Sequence, residues 1–159
     1  MLAASKASLD PSQLRPRPKP LELLLVEDNP GDVRLAEEAF KATGAMPHMH
    51  VARDGAEALQ YLRKEAPFED AVRPDIILLD LNLPKVNGRE VLKAIKTDPG
   101  LLRIPVIVWT TARSDREVAA VYELHANCCV TKPVELDAFF RLIQAAQHFW
   151  FEVATLPSS

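Results

Sequence analysis

Cysteine is almost missing from this chain: two of 159 residues, Cys128 and Cys129, and these are adjacent. Neighbours on a strand point to opposite faces, so a disulfide between them would be strained. Two thiols alone do not frame a metal site, and both are expected as reduced packing residues. An excess of positive charge is missing too. Lys and Arg total 19 against 22 Asp and Glu, a net charge of −3, which gives no basic face for nucleic acid. No apolar run approaches the ~20 residues of a membrane span. The opening stretch MLAASKASLDPSQL lacks the continuous apolar core of a signal peptide, so a cytoplasmic location is expected. Nor is there an internal repeat. What remains is ordinary: 48% hydrophobic and 26% charged residues, which suits one soluble domain with its own core.

Residues 1–20 read as a flexible, Pro-rich N-terminal tail, since RPRPKP (Arg15 to Pro20) fits neither a helix interior nor a central strand. Strands and helices then alternate through 21–151, with 152–159 left as a C-terminal tail. Leu21 to Glu27 is a near-continuous apolar run, as for a strand buried on both faces. Asn29 and Pro30 open a helix that Gly44 ends after Thr43. His48 to Arg53 is a short strand. Asp54 and Glu57 resemble a capping box for a helix to about Lys64. Asp75 to Leu79 is a third strand, running into Asp80, and Gly88 to Thr97 is a helix broken by Pro99-Gly100. Pro105 to Thr110 is the fourth strand. Ser114 and Glu117 make a capping box for a fourth helix to Leu124. Asn127 to Thr131 is the fifth strand, and Glu135 to about Phe151 the last helix. Successive strand–helix units imply a parallel sheet covered on both faces, because parallel neighbours need crossover connections. Ligands of such sheets bind at the carboxyl ends of the strands.

Those ends carry an unusual load. LLLVEDNP drives an apolar strand into Glu27 and Asp28, and IILLDLNLP drives another into Asp80. A buried carboxylate without a partner costs several kcal/mol or more. Thr110 ends the fourth strand and Lys132 follows the fifth. Repulsion among the acids calls for a hard divalent cation, and Mg2+ favours a few carboxylates with waters and phosphate oxygens. A metal, a hydroxyl and an ammonium around one carboxylate form a phosphoryl-transfer site, with Asp80 as nucleophile and Thr110 and Lys132 as partners of the phosphoryl oxygens. Taken singly, each residue has a plainer explanation: an Asp as turn former, a Thr for β propensity, a Lys-Pro pair as loop. Their joint placement on successive strand ends is what packing alone explains poorly.

VEDN, LLDLNLP, PVIVWTT and TKP, in this order, resemble the receiver domain of two-component response regulators, from about Leu21 to Trp150. The resemblance implies a flavodoxin-like α/β fold, a doubly wound five-stranded parallel sheet in the order 2-1-3-4-5. It implies that Asp80 accepts phosphate from a histidine kinase and that Mg2+ is held by Asp28, Asp80 and the backbone carbonyl of Asn82, with Glu27 acting through water. Thr110 and Lys132 would bind the phosphoryl oxygens. It also implies a cis Lys132–Pro133 bond. Cys129 departs from the pattern, because many such domains carry Tyr or Phe there as a moving aromatic switch. The ending HFWFEVATLPS, with LHANCCVTKP, resembles single-domain regulators paired with bacterial phytochromes, which implies a phytochrome-type sensor kinase as partner and signalling by protein contacts.

The other readings are a phosphate sink or relay, and an Mg2+-dependent phosphatase with an aspartate nucleophile. Asn82 stands against the phosphatase, since it cannot donate a carboxyl proton where such enzymes place a general acid. A surplus of apolar residues on the last helix, with Phe140, Phe149 and Val153 lying beyond a stripe of Phe139, Leu142, Ile143, Ala146 and Trp150, leads to a further expectation: a homodimer through the helix 4–strand 5–helix 5 face.

Overall fold

The computed structural model describes residues 19–111 and 114–158, so most of the expected N-terminal tail lies outside the described residues. Strands β1 (Glu22–Val26), β2 (His48–Ala52), β3 (Ile76–Asp80), β4 (Val106–Thr110) and β5 (Cys128–Thr131) form one parallel sheet in the order β2-β1-β3-β4-β5. Helices α1 (Pro30–Ala42), α2 (Gly55–Leu62), α3 (Gly88–Thr97), α4 (Asp115–Glu123) and α5 (Leu136–Gln147) connect and flank the strands. No described helix is long and apolar enough to cross a membrane.

Strand alternation sorts the core into two layers. Leu24, Val26, Ile77, Leu79, Val106 and Val108 point to one side, against α2, α3 and α4. Leu23, Leu25, Ile76, Leu78, Ile107 and Trp109 point to the other, against Phe40 of α1 and Phe139 and Ile143 of α5. Central strands β3 and β4 are buried at every position, which is why their sequences are apolar without alternation. β2, at the edge, is mostly half-exposed.

Local chemistry sets the helix starts. Asn29 accepts from the backbone N–H of Gly31 (2.8 Å) and Asp32 (3.2 Å), with Pro30 as the first helical residue. Asp54 caps α2 through Glu57 N–H at 2.8 Å. A reciprocal capping box opens α3, between Asn87 and Glu90. At α4, Ser114 accepts from Glu117 N–H, but the Glu117 carboxylate takes up the Ser114 hydroxyl, so the expected box forms only in part.

Two expectations are corrected. Lys132–Pro133 is trans, the cis bond among the described residues being Ala66–Pro67, and the Lys132 side chain reaches the strand ends without it. The last helix does not run regularly to Phe151. It passes at His148 into a π-helical turn through Val153. Gln147 donates to Glu152 at 3.2 Å and Ala154 N–H to Phe149 O at 2.7 Å, both five residues apart, the spacing a π turn brings together. Phe151 stacks on Phe40 of α1 at 5.7 Å, and Leu156 beyond it packs against the same core layer.

At the β2 edge His50 stacks on Tyr61 (4.1 Å between centroids) and meets the edge of Phe68. Its buried Nε2 has no hydrogen-bond partner among the described residues, and Glu57 lies 4.0 Å away. Burial lowers the His50 pKa from its ordinary 6.5, and the Glu57 charge opposes this only in part. The unfolded chain therefore binds more protons than the folded one just below pH 6.5, so stability is full above that value and falls as pH drops through it. Other groups titrate in the same range, so the expected signature is a difference: urea midpoints of the wild type should fall relative to those of His50→Phe, which keeps the stack and cannot titrate, as pH drops below 6.5.

Candidate functional site

Where β1 and β3 end, the alternation continues into charge. Glu27 follows Leu25 on the α1–α5 side and is fully buried, and Asp80 follows Leu78 there with 4% exposure. Asp28 is exposed. Lys132, after β5, reaches in from the same side. Its Nζ lies 2.6 Å from Glu27 Oε2, 3.1 Å from Asp80 Oδ2 and 3.0 Å from Asp32 Oδ2. The second oxygens are also occupied: Asn29 N–H donates to Glu27 Oε1 at 3.1 Å, and Asn82 N–H to Asp80 Oδ1 at 3.0 Å. Thr110 is buried beside them, one residue beyond Trp109, the register partner of Asp80. The Thr110 carbonyl accepts from Lys132 N–H at 2.8 Å, which anchors the start of the lysine loop.

One ammonium thus serves a cluster richer in carboxylates. Burial pushes Glu27 up to about 7, helped by the Asp80 charge and opposed by Lys132. Burial pulls the other way on Lys132, but its bond to Glu27 and the charges of Asp80 and Glu27 prevail and hold it above the ordinary lysine range. Glu27, Asp28 and Asp80 each present a carboxylate oxygen within 4.8 Å of the others. Hard oxygen donors of this kind suit a divalent cation. With Mg2+–O bonds of about 2.1 Å, opposite ligands stand about 4.2 Å apart, so a small inward shift would complete the set.

The response regulator receiver domain family matches residues 23–144 of this sequence. This chain belongs to that family. Rcp1 of Synechocystis sp. is 45% identical over 140 residues, covering 88% of this chain and 95% of Rcp1. FilR2 of Methanothrix harundinacea, named a probable methanogenesis regulatory protein, is 37% identical over 142 residues, covering 89% of this chain and 91% of FilR2. Among solved structures, the phosphorylated cyanobacterial phytochrome response regulator RcpA superposes with a TM-score of 0.85 at 46% identity, over 88% of this chain and all of RcpA. The Mn2+-bound form of Rcp1 gives 0.84 at 45% identity, over 87% of this chain and 100% of that one.

In this receiver the loop after β3 is clamped from behind. A Cβ on Gly88 would sit 2.3 Å from the Asp80 carbonyl oxygen, and one on Gly55 would sit 1.8 Å from the Val86 carbonyl oxygen. Only glycine lets α3 and α2 approach the loop this closely. Lys85, at φ 64°, adds an ion pair of 3.1 Å to the Asp54 cap. Asn82 is thereby held over Asp80. On the opposite face of the sheet, Cys129 offers no ring, and its N–H donates instead to the Tyr122 hydroxyl of α4 at 3.2 Å.

Two neighbours of the site escaped the sequence reading. Asp32, an acid in the first turn of α1, carries no local mark of a site role, and only the fold turns it toward Lys132. Trp109 lies within the apolar run of β4, which carries no sign of a site role, yet Lys132 Nζ stands 4.6 Å from its ring centroid. Removing the lysine from this cluster leaves buried carboxylates uncompensated. Lys132→Ala in chelator at alkaline pH should lose about 3 kcal/mol of unfolding free energy, and added divalent cation should recover part of it, read by urea titration.

Proposed function

We propose that this receiver accepts a phosphoryl group on Asp80 from the phosphohistidine of a sensor histidine kinase. The observation that carries the reading is the Asp80 carboxylate itself, buried at a strand end with Lys132 Nζ at 3.1 Å and Asn82 N–H at 3.0 Å. An Asp80 oxygen forms the new P–O bond as the P–N bond to the donor imidazole breaks, and the imidazole leaves with that electron pair. Lys132 turns from its carboxylates to a phosphoryl oxygen, and the Thr110 hydroxyl donates to another. Mg2+ held by Asp28, Asp80 and the Asn82 carbonyl, with Glu27 acting through water, would neutralise charge on the incoming group. In this reading the chain is a phosphoacceptor signalling protein rather than a turnover enzyme, since Asn82 stands where an aspartate-nucleophile phosphatase places its carboxyl general acid. Free cysteines and dependence on a kinase's phosphohistidine favour the cytoplasm.

The kinase is of the phytochrome type in this reading. Support comes from the relatives: RcpA is a cyanobacterial phytochrome response regulator, and the bacteriophytochrome response regulator AtBRR is 40% identical. Acetyl phosphate with Mg2+ should add one phosphoryl group to the wild type and none to Asp80→Asn by intact mass. A wild type that stays unmodified would refute the reading.

Output through a homodimer on the α4–β5–α5 face belongs to the same proposal. Tyr122, Val134, Leu136 and Phe149 are exposed along it. Phe140, Trp150 and Phe151 pack instead against the α1–α5 core, so the apolar surplus is smaller than the sequence suggested. Light scattering at micromolar concentration should give a dimer in the wild type and a monomer in Leu136→Glu or Phe149→Glu.

A further inference from the structure

We propose that Trp109 is the positioning residue that seats Lys132 over the phosphoacceptor and passes its movement to α5. The proposal rests on the reading above, that Asp80 is phosphorylated.

Trp109 is paired in register with Asp80, so both side chains leave the sheet on the α1–α5 side. The indole is fully buried, and its Nε1 has no acceptor among the described residues. A buried donor left unpaired is costly, and a leucine or phenylalanine would fill a core position without that cost. The indole face has a use that offsets it. Lys132 Nζ stands 4.6 Å from the ring centroid, and indole is the strongest of the side-chain rings as a partner for a cation.

The hydrogen bonds of the Lys132 ammonium go to the carboxylates of Glu27, Asp32 and Asp80. Those acids change partners when a cation and a phosphoryl group arrive. The indole is neutral and fixed in β4, so it keeps the ammonium in reach while the acids are reassigned. The same ring meets Phe139 of α5, with centroids 5.5 Å apart and planes tilted by 58°. A shift of the ammonium across the ring is therefore felt directly by α5. The opposite face of the sheet, where Cys129 supplies no ring, is not needed for this route. Tyr122 there is held to Cys129 N–H.

Trp150→Phe leaves Trp109 as the single tryptophan of the two in the chain, and its emission reports the seat. The emission is recorded with Mg2+ alone and then with acetyl phosphate, while intact mass follows the phosphoryl group in the same sample. The proposal expects a change in emission that tracks phosphorylation, fails in Asp80→Asn, and is reproduced in direction by Lys132→Ala. In parallel, Trp109→Leu should slow phosphorylation at saturating acetyl phosphate roughly tenfold. Its Mg2+ affinity should stay within about twofold, because the carboxylate ligands are untouched. Trp109→Phe keeps a ring face and should stay within about threefold of the wild-type rate. Constant emission at full phosphorylation overturns the proposal and leaves the phosphoacceptor reading intact. Equal slowing in the Phe and Leu variants, or slowing in neither, also overturns it. No phosphoryl group on the wild type would defeat both. Should Trp109→Leu fail to fold, the emission of the single-tryptophan protein and the rate of Trp109→Phe still decide.

Discussion

The Lys132 ammonium holds this molecule's strand ends together. Two strands from different parts of the chain end in buried acids, Glu27 and Asp80, and α1 adds Asp32. None of these could be buried in ionised form beside the others without a cation between them. Lys132 supplies that charge from beyond the edge strand β5, 105 residues from Glu27. The same congestion makes the site responsive. A cluster with more carboxylates than cations gains most when a further cation enters, and its lysine is then released for another anion.

The placement of the charges follows from strand alternation. Apolar residues on the α1–α5 side of β1 and β3 are succeeded, two positions on, by Glu27 and Asp80. Thr110, the next residue, points to the opposite side of β4 from Trp109 and is buried at the strand's end. In the proposed phosphotransfer the chemistry draws on both layers, and a change at Asp80 would have two exits, one toward α4 and one toward α5. In this chain the α4 exit lacks the usual ring at Cys129, while the α5 exit is lined by Trp109 and Phe139.

Much of this was readable in the sequence because the signals were periodic or punctuated. Continuous apolar runs marked the strands, Asn29 and Asp54 marked helix starts, and the charged residues fell at strand ends where a parallel sheet binds ligands. Strand order came from the family resemblance, since alternation alone does not say which strands are neighbours. The misses were tertiary. Asp32, Trp109 and Gly55 have ordinary local explanations, and their roles appear only when α1, β4 and the loop after β3 are brought together. The π turn after Gln147 depends on contacts five residues apart and on Phe40 of a distant helix, which no helical periodicity encodes.

The central claim is that the acids at the ends of β1 and β3 form a divalent-cation site that Lys132 balances. Asp28 tests it most directly, because it is the exposed member of the carboxylate group and its loss disturbs no buried packing. Calorimetric titration with Mg2+ should give one site in the wild type, and affinity should fall roughly tenfold or more in Asp28→Asn, with unfolding stability in chelator unchanged. Equal Mg2+ affinity in the two proteins would contradict the account.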